Sequence, residues 1–334
     1  MEKNTKTRNA DLEAQVRELT EKLETGIKEV FESDAYVAYL NAMSKFHHYS
    51  FGNVMLILMQ YPDASVVAGF GKWKKEFGRT VKAGERGIQI LAPMFRKRLV
   101  LQDKIDPQTM APILGPDGEP EKEWVFVRRT DFRIVYVYDI SQTEGREFPS
   151  HGVDELTGDV PQYEEFLSAM ETLSPVPIEF REPEASKGCY NLLEQKTYVN
   201  EGMSQVQTLK TLIHETAHAK LHALPVENGK LVGRPDITET VKKDRHTREV
   251  EAESIAYVVC RHFGIDTADY SFGYVTGWSR DKSLPELKAS LDCIGKTAKE
   301  MISAIGVACP ELSRTPPEEK ENAFHHETQN NKEK

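Results

Sequence analysis

The sequence predicts an α+β chain of two domains, an N-terminal one of helices plus a β-sheet and a C-terminal one built from helices around two short strands. Three observations carry that prediction. Helix-like periodicity dominates residues 1–60, alternating apolar patterns dominate residues 88–140, and a second helical set begins after a break at Pro149, Ser150 and Gly152. A boundary near residue 150 then separates a domain 1–150 from a domain 151–308, with 309–334 as a polar tail expected to be disordered. At 334 residues and 39% hydrophobic, the chain is long and apolar enough for two packed cores.

In chain order, Asp11–Glu32, Tyr36–Phe46 and Phe51–Gln60 read as helices, interrupted at His47–Ser50 and ended before Pro62. Ile88–Pro93, Leu99–Gln102, Trp124–Arg128 and Arg133–Tyr138 read as strands, and the Pro/Gly-rich piece Pro107–Pro120 as a long surface loop. In the second domain Ile178–Arg181 and Thr197–Asn200 read as strands, followed by three helices. The first of these starts at a capping box, Ser204 with Gln207, and carries the apolar stripe Val206, Leu209, Leu212, Ile213, Ala217 and Leu221 until Pro225. The second spans Arg248–Phe263 and stops at Gly264; the last lies near Pro285–Ile305.

On the first of these helices His214-Glu215-Thr216-Ala217-His218 spells H-E-x-x-H. Residues four apart on a helix share a face, so both imidazoles reach one metal ion while Glu215 points at the water beside it. Chance can place this motif on an ordinary amphipathic helix, but packing alone does not account for two histidines bracketing a glutamate on the apolar side. The chemistry expected is zinc-dependent hydrolysis, with His214 and His218 as ligands and Glu215 as general base.

An open zinc site needs a third protein ligand on a neighbouring element. Glu249 and Glu253 share one face of the Arg248–Phe263 helix, with Ala252 and Ala256 beside them and Glu251 pointing elsewhere. Glu249 is the expected third ligand and Glu253 the carboxylate that receives an N–H from a ligand histidine, with the reverse assignment open. A solvated acidic face is the plain alternative for these glutamates. The metzincin pattern fails, because Leu221 and Leu224 stand where it needs Gly and His, so His222 is not expected to be a ligand. His246, Tyr257 and Tyr274 are conceivable oxyanion donors, and the sequence does not choose among them. A short strand before the histidine helix could receive an extended peptide by strand addition.

Composition narrows the partners. A polar N-terminus and a longest apolar run of only Val54–Met59 predict neither a signal peptide nor a membrane span. Cys189, Cys260, Cys293 and Cys309 lack C-x-x-C spacing, which points to the cytoplasm rather than to a disulfide framework. The net charge of −10 argues against a general nucleic-acid binder, yet Gly71–Arg98 holds nine Lys or Arg against two acids, interleaved with Phe70, Trp73, Phe77 and Phe95. Cations beside rings are the ingredients of single-strand binding; a solvated basic helix with core aromatics is the plain alternative.

Beyond composition, the wording of the chain resembles the ArdC-type antirestriction proteins of plasmids and conjugative elements. YSFGNVMLILMQYP, GFGKWKKEFGRTVKAGERGIQILAP and IVYVYDISQTEG are similar to that family's N-terminal single-stranded DNA-binding domain, with Trp73, Gly78, Val81, Lys82, Gly84, Glu85 and Gly87 where its pattern places them. HETAHAKLH followed by Glu249, Ala252 and Glu253 is similar to its minimal zincin-like metallopeptidase domain. The match covers roughly residues 35–300. The resemblance implies a protein of mobile DNA that binds an entering single strand and counters restriction, with Asn53, Trp73, Lys82 and Arg86 as DNA contacts and Lys74 and Lys75 on phosphates. Two other classes remain open: a cytoplasmic zinc peptidase that cleaves a regulatory protein without binding DNA, and a DNA-binding protein whose zinc site is structural.

Overall fold

A computed structural model describes residues 2–31, 33–107, 109–147, 160–182, 184, 186–223, 226–227, 230–231, 243–268, 270, 272–310 and 312. Its class is α+β. The boundary residues 148–159, Leu224, Pro225 and the tail from 313 on lie outside the described residues.

Helix α1 spans Glu2–Glu29, α2 spans Ser33–Lys45 and α3 spans Phe51–Gln60. Helix α1 begins well before Asp11 because no Gly or Pro interrupts the polar segment ahead of it; its buried Leu19, Leu23 and Ile27 recur every fourth residue. Then come β1 (Val67–Gly69), α4 (Phe70–Lys75), β2 (Arg79–Val81), β3 (Ile88–Asp103), β4 (Lys122–Asp139) and β5 (Thr143–Gly145).

The described residues fall into two compact units. One comprises residues up to Ile27 with Met55–Arg146; the other comprises Lys28–Val54 with the described residues from Glu147 on. The sequence alone assigns residues 28–54 to the first domain, whereas the structure places them in the second unit. Burial explains the difference. Tyr36 and Tyr39 are fully buried there, the Tyr36 hydroxyl lies 2.7 Å from Ser254 Oγ, and Tyr257 donates to Asn41 Oδ1 at 3.0 Å.

In the first unit β1, β4 and β3 form an antiparallel sheet in that order, and β2 pairs with β5. The four strands expected between residues 88 and 138 are two long ones. Strands β3 and β4 pair without interruption from Ile88↔Val137 to Asp103↔Lys122, because Arg96, Lys97, Arg98 and Arg129 are solvent-exposed and need not end a strand. At the sheet's base Asp139 is buried and accepts from the amides of Ser65 (2.8 Å), Val66 (3.1 Å) and Ser141 (2.9 Å). Gln142 continues the corner by donating to Glu85 Oε2 (3.0 Å) and Arg86 O (2.9 Å).

The second unit adds α5 (Tyr163–Leu173), β6 (Ile178–Arg181), β7 (Gly188–Asn191), β8 (Lys196–Asn200), α6 (Gln205–His222), the pair β9 (Val226–Glu227) and β10 (Lys230–Leu231), α7 (Arg245–His262), α8 (Val275–Arg280) and α9 (Leu284–Ala308). Strand β8 is central, parallel to β6 and antiparallel to β7, which leaves β7 at an edge. Helix α6 packs on β7 and β8, α7 packs on α6, and α9 packs on α7. Helix α7 starts ahead of Arg248 because Asp244 caps it, accepting from the Thr247 amide at 2.7 Å. It ends where Gly264 turns left-handed, φ +74°.

Candidate functional site

Helix α6 is held at its start by Ser204, whose hydroxyl accepts from the Gln207 amide at 3.2 Å. Only that half of the expected capping box forms among the described contacts, since the Gln207 side chain instead donates to Thr211 and accepts from Lys187. Most of α6 from Thr208 to His222 is buried, so its histidines sit in a packed layer rather than on a solvated face.

The motif histidines and the first expected glutamate converge. His214 Nε2 and His218 Nε2 are 3.1 Å apart, and Glu249 Oε2 from α7 lies 3.8 Å from the first and 3.6 Å from the second. Three donors held about 2.0–2.2 Å from one tetrahedral ion are about 3.3 Å from each other, so this triangle fits a small divalent metal with minor side-chain shifts. Protonation states agree with that use. Burial, reinforced by His218, pushes His214 down to about 4, and the neighbouring His218 holds Glu249 at about 2. For His214 and Glu249 the ligand forms, neutral imidazole and carboxylate, are therefore the forms present at neutral pH.

Glu215 lies one residue from His214 and is almost fully buried. Its Oε2 accepts from the Tyr190 amide of edge strand β7 at 2.7 Å. Burial raises its carboxyl above the usual range, against the lowering effect of His218 and that amide. The strand can come this close only because residue 188 is glycine: a Cβ there would lie 2.6 Å from Thr211 Cγ2 and 2.8 Å from Tyr198 O. An open cleft of about 350 Å³ runs over this point, bordered by Gly188, Thr211, His214, Glu215 and Glu253.

Around His218 the contacts differ from those expected for Glu253. Its Nδ1 meets His222 Nδ1 at 2.9 Å, and His222 Nε2 meets Glu251 Oε2 at 3.1 Å. Glu251, fully buried, also accepts from Lys243 (2.7 Å) and Ser290 (2.8 Å). Glu251 therefore supports the histidines through His222, the place expected for Glu253. Glu253 instead receives the Tyr274 hydroxyl and faces the cleft. With neutral rings, leaving the His218 Nε2 lone pair for a metal makes His218 donate from Nδ1 and His222 donate from Nε2. The signal for His222 was present in the sequence, four residues beyond His218; that for Glu251 was not, because its burial depends on α9.

The residues expected to touch DNA occupy unlike settings. Trp73 is fully buried and donates through Nε1 to Tyr138 O at 2.8 Å, so it belongs to the core and cannot stack on a base. Lys82 Nζ is bound to Ser141 O at 2.8 Å. Lys74, Lys75 and Arg86 are exposed, and Asn53 belongs to the second unit. Among the described residues no helix is long and apolar enough to cross a membrane.

Residues 10–138 match the family described as the N-terminal domain of anti-restriction factor ArdC. An uncharacterized protein of Bacillus anthracis is 26% identical over 332 residues, a match covering 91% of this chain and 53% of the relative, so the chain spans about half the length of that relative. Two crystal structures of the antirestriction ArdC protein from the R388 plasmid are similar. The metal-free one is 21% identical with a TM-score of 0.41, covering 80% of this chain and 86% of that one. The Mn(II)-bound one is 17% identical with a TM-score of 0.43, covering 79% and 84%.

Proposed function

We propose that this chain, whose residues 10–138 match the N-terminal domain of anti-restriction factor ArdC, is an antirestriction-type protein of a mobile genetic element. In this reading it binds single-stranded DNA through its first unit and carries a zinc-dependent, zincin-like peptidase site in its second. It acts in the cytoplasm, which its four unpaired cysteines suit.

The observation that carries the enzymatic part is the triangle of His214 Nε2, His218 Nε2 and Glu249 Oε2 with Glu215 beside it. Two imidazoles and one carboxylate suit zinc best among divalent ions. When bound, such an ion supplies the Lewis acidity that makes water acidic near neutral pH and polarises a carbonyl. Glu215, oriented by the Tyr190 amide, takes the proton of a water in the cleft and returns it to the leaving amine. An extended peptide would lie along edge strand β7, whose Gly188 borders the cleft.

The test has two arms. Elemental analysis of the purified chain should find one divalent ion, lost in the His214→Ala/His218→Ala double variant, and a peptide library should be cleaved by the wild type but not by Glu215→Gln. Retained metal in the double variant would remove the metal site, and cleavage by Glu215→Gln would remove the general base. Anisotropy of a labelled single-stranded oligonucleotide at several salt concentrations tests the DNA arm, with duplex as control; no binding at low salt would end it.

A further inference from the structure

The β3–β4 hairpin has two unlike faces. Strand alternation and the register put Phe95, Lys97, Leu99 and Leu101 of β3 on the same face as Trp124, Phe126, Arg128 and Phe132 of β4. The side chains of this face stand in solvent: Phe126 is 68% exposed, Trp124 64%, Phe95 58% and Phe132 49%. Rings of this size are normally buried, and a contiguous exposed patch of them marks a contact surface. The guanidinium of Arg128 lies 4.0 Å from the centre of the Phe95 ring, which holds a cation flat against the patch.

We propose that this face is a stacking platform for single-stranded nucleic acid, and it rests on the DNA-binding part of the proposed function. Charge selects the occupant. The two strands carry seven cations and four acids in a chain of net charge −10. On the aromatic face Lys97 and Arg128 sit at the centre, while its acid, Asp103, is at the far end and paired with Lys122. A second copy laid face to face would set these cations against their own counterparts, whereas a polyanion with exposed bases meets both the cations and the rings. From Phe132 to Trp124 the strand runs about 26 Å, enough for several bases in a row. The platform replaces Trp73, which the core consumes.

The experiment uses the full chain and a labelled single-stranded DNA oligonucleotide without secondary structure, read by anisotropy and by tryptophan emission. Trp73 is fully buried and Trp278 nearly so, so quenching on DNA addition reports Trp124. The wild type should bind with quenching; Trp124→Phe should bind without it; Trp124→Ala/Phe126→Ala should bind at least ~10-fold more weakly. Lys97→Gln/Arg128→Gln should flatten the salt dependence of binding. Unquenched wild-type binding together with unchanged affinity in the Ala variant would overturn the platform and leave the DNA-binding reading standing. No binding by the wild type at low salt would defeat that reading itself. Light scattering that showed an oligomer dissolved by the Ala substitutions, with DNA affinity unchanged, would assign the face to copy–copy contact and overturn the inference.

Discussion

His218 Nδ1 lies 2.9 Å from His222 Nδ1, so the second motif histidine is positioned by the next histidine of its own helix. The chain of contacts ends on Glu251, whose carboxylate is fully buried and touched by His222, Lys243 and Ser290. Against burial, which raises it, those three partners hold the Glu251 carboxyl below its usual range.

Removing this support should loosen the metal without touching a ligand. His222→Asn and Glu251→Gln are each expected to weaken metal affinity about 10–100-fold, measured by competition with a chromophoric chelator. Unchanged affinity in both would show that His218 needs no such orientation.

Glu215→Gln should retain the metal at wild-type stoichiometry and lower peptide cleavage by roughly 10²–10⁴-fold, the contribution of a positioned general base. Because Gln still accepts from the Tyr190 amide, the cleft should keep its shape. A loss of metal would mean that Glu215 serves the ligands rather than the proton.

Gly188→Ala is expected to cost about 1–3 kcal/mol, because the new Cβ meets the Tyr198 backbone carbonyl at 2.8 Å and that atom cannot swing aside. Thermal denaturation gives the stability change. Strand β7 would also shift from Glu215, so cleavage should fall alongside Tm.

Acid should destabilise the second unit through His47. Burial, with His262 and His48 adding to it, pushes this ring down to about 2, and its Nδ1 has no hydrogen-bond partner among the described residues. The unfolded chain takes up a proton near pH 6.5 that the folded one refuses, so stability present above about pH 6.5 is lost as pH falls, by up to about 1.4 kcal/mol per pH unit. His47→Leu should flatten the urea-midpoint profile between pH 4 and 6.5; an identical profile would show that the buried ring is not the cause.

Trp73→Ala should cost about 3–5 kcal/mol, as expected for emptying a core site filled by a fully buried indole. Chemical denaturation measures this, and a loss below about 1 kcal/mol would contradict the buried placement.

Local rules carried the reading far where the chemistry is local. H-E-x-x-H on a helix needs only a helical repeat to bring two histidines to one face, so the convergence of His214 and His218 was legible from five residues. The approach of Glu249 to those histidines was legible from the search for a third donor on a neighbouring helix. Strand patterns at 88–138 were legible in kind but not in length, because charged residues that look like breaks in one strand are harmless when the paired strand leaves them in solvent.

What the sequence by itself determined is the α+β class, the motif helix and the residue types of the His214, His218 and Glu249 triangle, all set by periodicities of a few residues. Only the tertiary structure decided that residues 28–54 join the second unit, that Trp73 is core while Trp124 faces water, and that Glu251 rather than Glu253 backs the histidines. Each of these depends on which distant element covers a side chain. Burial of Glu251 is supplied in part by Ser290, 39 residues away on α9, and no local pattern encodes a contact across that separation.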